Sequence, residues 1–294
     1  MNSGTRSYLF AGLAVFFWST VATAFKLALR ELDVFQFIFI ASGVSILVLL
    51  LILIAQRKTA LFFSQTKKEL LYSAGMGALN PAVYYLILFK AYSLLPAQVA
   101  QPLNMVWPIV LTLLSVPMLK QKIRPVHFIA LGISFTGVLL ISSQGSFEGF
   151  RHINKLGVAL ALLTSVMWSF YWIMNVKDQR DEVVKLLTGF IFGFCYLTGT
   201  VFLFSSFRFS GGIPLIAAVY TGFFEVGITY VLWLKAMKLS SNNARIGNLV
   251  FLAPFLSLIF IHLILKETIF ITTFIGLVFI VGGIFLQQAK KKPV

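Results

Sequence analysis

Residues 34–55 read VFQFIFIASGVSILVLLLILIA, twenty-two residues without one charged side chain. A helix needs about 20 apolar residues to cross the hydrocarbon core of a bilayer. Nine further stretches qualify approximately: 7–29, 70–94, 97–119, 125–143, 156–176, 183–207, 212–236, 245–265 and 267–288. With 34–55 they predict an all-α integral membrane protein of ten transmembrane helices. The connections are short, so no room is left for a soluble domain, and the surrounding solvent is a lipid bilayer.

Composition agrees. Of 294 residues, 59% are hydrophobic and 11% charged, with a mean hydropathy of +0.92. A soluble domain needs more charge to cover its surface. The net charge of +15 would point to nucleic acid in a soluble protein, but the hydropathy excludes that partner. Ala22-Thr23-Ala24 after Arg6 resembles a signal-peptide cleavage site. The same first-helix pattern recurs in mid-chain, so residues 7–29 are read as a mature helix.

The basic residues carry orientation instead. With the N-terminus placed in the cytoplasm, seventeen of the 24 Lys and Arg residues fall inside and seven outside. The positive-inside rule favours this placement. Both termini are expected in the cytoplasm, with the chain in a bacterial inner membrane.

The two halves resemble each other. Phe17-Trp18-Ser19 matches Met167-Trp168-Ser169, and Leu88-Phe89-Lys90-Ala91 matches Trp233-Leu234-Lys235-Ala236. Pro108 precedes Lys120 by the same interval that separates Pro254 from Lys266. Five spans per copy is an odd number, so the second copy must sit upside down. The loop charges follow: Lys120, Lys122 and Arg124 make one connection basic, whereas its counterpart at Lys266-Glu267 is nearly neutral. Two inverted-topology repeats, residues 1–146 and 147–294, are therefore expected. That arrangement is common in secondary transporters that alternate access around a central cavity.

These residues resemble the drug/metabolite transporter superfamily, in its EamA-type ten-helix form. The resemblance rests on the Trp-Ser of each first helix, the Lys-Ala pairs, and Lys266-Glu267 followed by Gly276, Gly282 and Gly283. Gln121 departs from the pattern where the first repeat would carry its Glu. Tyr84-Tyr85 and the stretch from Leu94 to Trp107 look most like the bacterial aromatic amino acid exporter branch. The resemblance implies export of aromatic or other neutral amino acids, or of similar small metabolites. Another metabolite or a drug-like solute is the alternative, and a passive channel a further one.

Catalysis is not expected. There is no HExxH, no GxSxG, no GxxxxGK[ST] loop and no acidic pair within a span. The single Cys195 provides no disulfide framework or thiolate metal site, and no cofactor or metal is anticipated. The sequence leaves the oligomeric state open.

Candidate substrate-binding residues are the polar and aromatic groups at mid-span. Trp18, Trp107 and Trp168 lie away from the interfacial belts where Trp usually sits. Each is either packed with its N–H bonded to a neighbouring helix or part of a cavity wall. Gln101, Asn104 and Trp107 span about 120° of a helical wheel. Pro102 and Pro108 free the carbonyls of Gln98 and Asn104 in the same helix. The amides either line a wet cavity or join helices. Asn80 and Tyr84 share a face beside Pro81. Under the repeat offset Asn80 corresponds to Glu225, and Tyr85 to Tyr230. Glu225 is the one carboxylate in mid-span, on a stripe with Thr221 and Thr229. Burying it charged and unpaired costs several kcal/mol, which makes it a coupling group, a ligand for a substrate ammonium, or a structural acid.

Overall fold

A computed structural model describes residues 3–119, 125–239 and 249–288, and every regular element among them is helical. In chain order the longer helices are α1 (Ser3–Ala28), α2 (Val34–Ala55), α3 (Lys67–Gly77), α4 (Tyr84–Leu94), α5 (Ala97–Asn104), α6 (Trp107–Leu119) and α7 (Pro125–Ser142). Then come α8 (Lys155–Lys177), α9 (Glu182–Phe204), α10 (Gly212–Thr221), α11 (Ile228–Leu239), α12 (Ala253–Phe260) and α13 (Ile271–Gln288). Short π-helical segments, Ala78–Val83 and Gly222–Gly227, join α3 to α4 and α10 to α11.

Four helices are long and apolar enough to span a bilayer unaided: Thr5–Ala28, Val34–Ala55, Lys155–Asn175 and Glu182–Phe204. Shorter apolar helices include Phe128–Ser142, Gly212–Glu225, Leu249–Leu265 and Ile271–Leu286. Along α2, Leu47, Leu51 and Ile54 are exposed while Val48, Leu49 and Leu53 are buried. Such a wide apolar exterior is stable against acyl chains and not against water.

Local chemistry sets the helix starts. Asp33 accepts from the amides of Phe35 and Gln36 at 2.8 and 2.9 Å, while Gln36 Oε1 accepts from the Asp33 amide, a reciprocal cap worth about 1 kcal/mol. Thr66 and Glu69 form the same box at α3. Asp181 caps α9 and pairs with Lys58 at 2.6 Å.

Among the described residues four of the expected spans are interrupted, 245–265 by a 3-10 turn at Leu249–Leu252 and a π-segment at Ile261–Leu265. Residues 70–94 break at Asn80, whose φ of −147° and ψ of 118° lie outside the helical region, and the Asn80–Pro81 bond is cis. Residues 212–236 pass through the π-turn at Gly222–Gly227. There a Cβ on Gly222 would sit 2.5 Å from the Ala41 carbonyl oxygen, and one on Gly227 2.6 Å from Val48 Cγ1. The two glycines let this helix lie directly on α2. Residues 97–119 divide at Met105–Val106, because Pro108 has no amide to give the Asn104 carbonyl. The chain tightens there, Val106 donating to Leu103 O and Ile109 to Val106 O. Of the expected span 245–265, residues 245–248 lie outside the described residues, as do Lys120, Gln121, Lys122 and Arg124.

The chain forms two compact units, Met1–Phe89 with Gln179–Phe260, and Lys90–Asp178 with Ile261–Val294. Each takes segments from both halves of the sequence. In the first unit α1 packs on α10, α11 and α12, and α9 packs on α2 and α3. Its core is aromatic: Phe37 stacks on Phe89 at 3.9 Å, with Phe25 against both.

In the second unit α13 lies along α7. A Cβ on Gly137 would be 2.5 Å from the Gly276 carbonyl oxygen, and one on Gly276 would be 2.6 Å from that of Gly137. The two backbones are in direct contact. Pro96, which opens α5, offers no side-chain cap. The carboxylate of Glu267 supplies it from 170 positions downstream, accepting from the Ala97 amide at 3.0 Å and the Gln98 amide at 3.3 Å. Gln98 fastens the same joint, donating to Thr268 O at 2.7 Å and accepting from the Phe270 amide and the Thr273 hydroxyl.

Candidate functional site

Several mid-span residues of the first unit meet at the Gly222–Gly227 π-turn. A π-turn carries one residue more than an α-turn and often marks a functional position. Here it holds Glu225. Tyr85, at the start of α4, donates its hydroxyl to Glu225 Oε1 at 3.1 Å. Trp18, on α1, donates its indole N–H to the Glu225 carbonyl oxygen at 3.3 Å, and its ring lies 5.3 Å from that of Trp233. Glu225 is thus held from two helices, by its side chain and by its backbone.

The other carboxylate oxygen, Glu225 Oε2, is sealed from solvent and has no hydrogen-bond partner. It faces a pocket lined by Ile38, Ala41, Ser42 and Ser45 of α2, Tyr85 and Phe89 of α4, Phe190 of α9, and Thr221. The space free for the centre of a water molecule is about 10 Å³, room for about one water. The Ser42 hydroxyl is also buried and without a partner. Ser45 is bonded to the carbonyls of Ala41 and Gly222, both at 2.9 Å, and Thr221 donates to Ala217 O at 2.8 Å.

Other candidates of this unit sit nearby in sequence with separate partners. Tyr84 is buried and meets the Tyr85 ring edge-on at 4.8 Å. Asn80 is buried at the kink with Oδ1 unpaired. Thr229 is fully buried and donates back to the Phe224 carbonyl, five residues earlier, as π geometry allows. The side chain of Tyr230 lies outside the described residues.

Gln101, Asn104, Trp107 and Trp168 belong to the second unit. Gln101 is buried with Oε1 unpaired. Asn104, at the end of α5, donates to Thr164 of α8 at 2.9 Å. Ser169 donates to the Trp107 carbonyl at 2.7 Å, tying the first turn of α6 to α8. Trp107 and Trp168 are both partly exposed, and Trp168 stacks on Tyr171 at 5.8 Å with Trp172 edge-on at 6.0 Å. The break at Met105–Val106 thus has an amide on one side and an indole on the other.

Sequence reading missed Ser42 and Ser45. Their i, i+3 spacing inside an otherwise apolar helix puts both hydroxyls on one face, which was a usable signal. Among the described residues no group of three or more His, Cys, Asp or Glu is placed to hold a metal ion.

An all-helical membrane protein with interrupted spans and polar groups at the interruptions has the architecture of a transporter. The EamA-like transporter family model matches residues 5–143 and again residues 155–287, and the chain belongs to that family. An uncharacterized transporter of Clostridium kluyveri is 26% identical, over 98% of this chain and 94% of its own. An uncharacterized transporter of Archaeoglobus fulgidus is 24% identical over 99% of each. The aromatic amino acid exporter YddG of Ancylobacter novellus is 29% identical over 59% of this chain and 61% of its own. A solved structure superposes with a TM-score of 0.67 at 21% identity, over 96% of both chains, which speaks to the fold alone. The family and these relatives are transporters and not enzymes.

Proposed function

We propose that the protein is a secondary exporter of amino acids, aromatic ones foremost, working by alternating access in a bacterial inner membrane with both termini cytoplasmic. The observation that carries the substrate class is the likeness to a relative named for aromatic amino acid export. The site chemistry is compatible: the partly exposed indoles of Trp107 and Trp168 offer ring faces, and Gln101 and Asn104 offer amides to a zwitterionic backbone. We assign substrate contact to these four. Trp18, Asn80, Tyr84, Thr229 and Tyr230 remain candidates on residue type, whereas Tyr85 and Glu225 flank a pocket too small for an amino acid.

The repeat reading, residues 1–146 and 147–294 in opposite orientations over ten spans, belongs to the same proposal. The family model's two matches support it, as does the placement of two of the three described π-helical segments, Ala78–Val83 and Gly222–Gly227, which begin 144 residues apart. A second reading, export of another small solute, is favoured by the relatives matched over nearly their whole length, whose names give no substrate.

Counterflow separates the two. Proteoliposomes loaded with unlabelled phenylalanine are expected to accumulate labelled phenylalanine transiently, with tyrosine and tryptophan competing. Trp168→Ala is expected to raise KM about tenfold or more, the loss of 1.4 kcal/mol or more of ring contact. If no aromatic amino acid exchanges or competes, the substrate assignment is wrong and the second reading stands. Flux that is linear in concentration and insensitive to trans substrate would identify a channel.

A further inference from the structure

The pocket beside Glu225 is distinguished by which hydrogen-bonding roles are left in it. Tyr85 spends its hydroxyl hydrogen on Glu225 Oε1. Ser45 spends its own on the carbonyls of Ala41 and Gly222, and Thr221 on that of Ala217. The oxygens of Ser45 and Thr221 can therefore only accept within the pocket. Glu225 Oε2 is unpaired, an acceptor alone while ionised and able to donate only once protonated, and the Ser42 hydroxyl is buried and unpaired. Phe89, Phe190, Ile38 and Ala41 add apolar lining.

That is an acceptor-rich chamber containing a carboxylate and no positive partner. The titratable groups lining it are Glu225 and Tyr85. α2 contributes Ile38, Ala41, Ser42 and Ser45, α9 contributes Phe190, and α10 contributes Thr221. From α1, Trp18 reaches the backbone carbonyl of Glu225. No Lys, Arg or His is among the lining residues. An ionised carboxylate sealed in such surroundings with one hydrogen bond is costly, and a single positive charge relieves it. The volume suits something the size of one water molecule, not an organic solute, whose pockets run to about 300 Å³ or more.

We infer that this chamber is a binding site for one small monovalent cation, either a sodium ion held by Glu225 Oε2 with the hydroxyl oxygens of Ser42, Ser45 and Thr221, or a proton carried on the Glu225 carboxyl and donated to one of those oxygens. The site is built within the first compact unit and stands independently of which solute the protein exports. It gives the chain an ion whose release and rebinding can accompany each cycle.

The test uses purified full-length protein in detergent and needs no transport substrate, so failure of the counterflow assay leaves it intact. Thermal unfolding is followed from zero to 200 mM sodium chloride, with choline chloride holding ionic strength constant, at each pH from 6 to 9. Sodium binding predicts a saturable rise in unfolding temperature that choline does not give and that weakens as pH falls. Proton binding predicts no sodium effect and stability that rises as pH falls, because the folded state then holds a proton that the unfolded state releases. Glu225→Gln is expected to remove either response. Ser42→Ala, a smaller change that keeps the carboxylate, is expected to weaken sodium affinity about tenfold, or to shift the proton-dependent midpoint. Wild type that responds to neither sodium nor pH beyond what Glu225→Gln shows would overturn the inference, leaving a chamber that holds water only. Should Glu225→Gln fail to fold, the Ser42→Ala comparison decides: an unchanged sodium and pH response in that variant also overturns the site.

Discussion

Replacing Glu267 tests how the second unit is held together. Its carboxylate accepts from two amides at the exposed-dipole end of α5, and both donors belong to buried residues. Glu267→Gln keeps the length and one acceptor oxygen but removes the charge. The loss combines the difference between charged and neutral hydrogen bonds with the helix-dipole term, about 1–2 kcal/mol in all. Glu267→Ala leaves the amides of Ala97 and Gln98 with no acceptor, at about 1–3 kcal/mol each before any relaxation. The assay is reversible unfolding of the full chain in mixed micelles, read beside hydrogen exchange at the two amides. Wild type is expected to be the most stable and Glu267→Ala the least, with exchange at Ala97 and Gln98 accelerated in the same order. Because Gln98 fastens the same joint, Gln98→Ala with Glu267→Ala should be non-additive by about 0.5 kcal/mol or more. If Glu267→Gln stays within about 0.5 kcal/mol of wild type and exchange at the two amides is unchanged, the remote cap contributes nothing and the reasoning fails.

Three further substitutions probe two other contacts. Gly137→Ala drives a methyl against the Gly276 carbonyl and Ile280 and is expected to cost about 1–3 kcal/mol; Gly132→Ala on the same helix meets nothing within 4 Å, so it should be neutral or stabilising by up to about 1 kcal/mol, and equal effects would refute the close contact. At Asp181 burial pushes the carboxyl up, but the Lys58 ammonium and the amides of Val184 and Val183 outweigh it and hold it below its usual range. Stability from this pair is therefore present above the unfolded carboxylate value of about 4 and is lost as pH falls through the lowered one. In denaturation of wild type against Lys58→Met, a modest gap at pH 7 should close at strongly acid pH; a gap independent of pH contradicts the pairing.

The membrane class was legible because lipid-facing and buried positions are both apolar, so 34–55 announces itself without any knowledge of neighbours. The break after Asn104 was foreshadowed by Pro102 and Pro108. The π-turn at Glu225 was not, since nothing in Gly222-Phe223-Phe224-Glu225-Val226-Gly227 distinguishes a π-turn from an α-turn until α2 presses on both glycines. Tyr85 stands out in the sequence through the Tyr84-Tyr85 pair and its repeat partner Tyr230, and Glu225 as a mid-span carboxylate, whereas their hydrogen bond joins positions 140 apart. Ser42 and Ser45 were overlooked because a serine in an apolar helix satisfies itself against its own backbone so often; here only Ser45 does so. The compact units were beyond sequence reading too, since each gathers chain from both halves.

The remote cap also has a consequence for how the protein is made. A chain leaves the ribosome N-terminus first, at roughly 5–20 residues per second. Residue 97 therefore emerges about 10 to 30 s before Glu267, 170 positions behind it. Throughout that interval α5 has neither its carboxylate nor the acceptors and donors that later engage Gln98. The helix carrying Gln101 and Asn104 thus reaches its final anchorage only after the segment from Glu267 to Thr273 has been made and brought beside it.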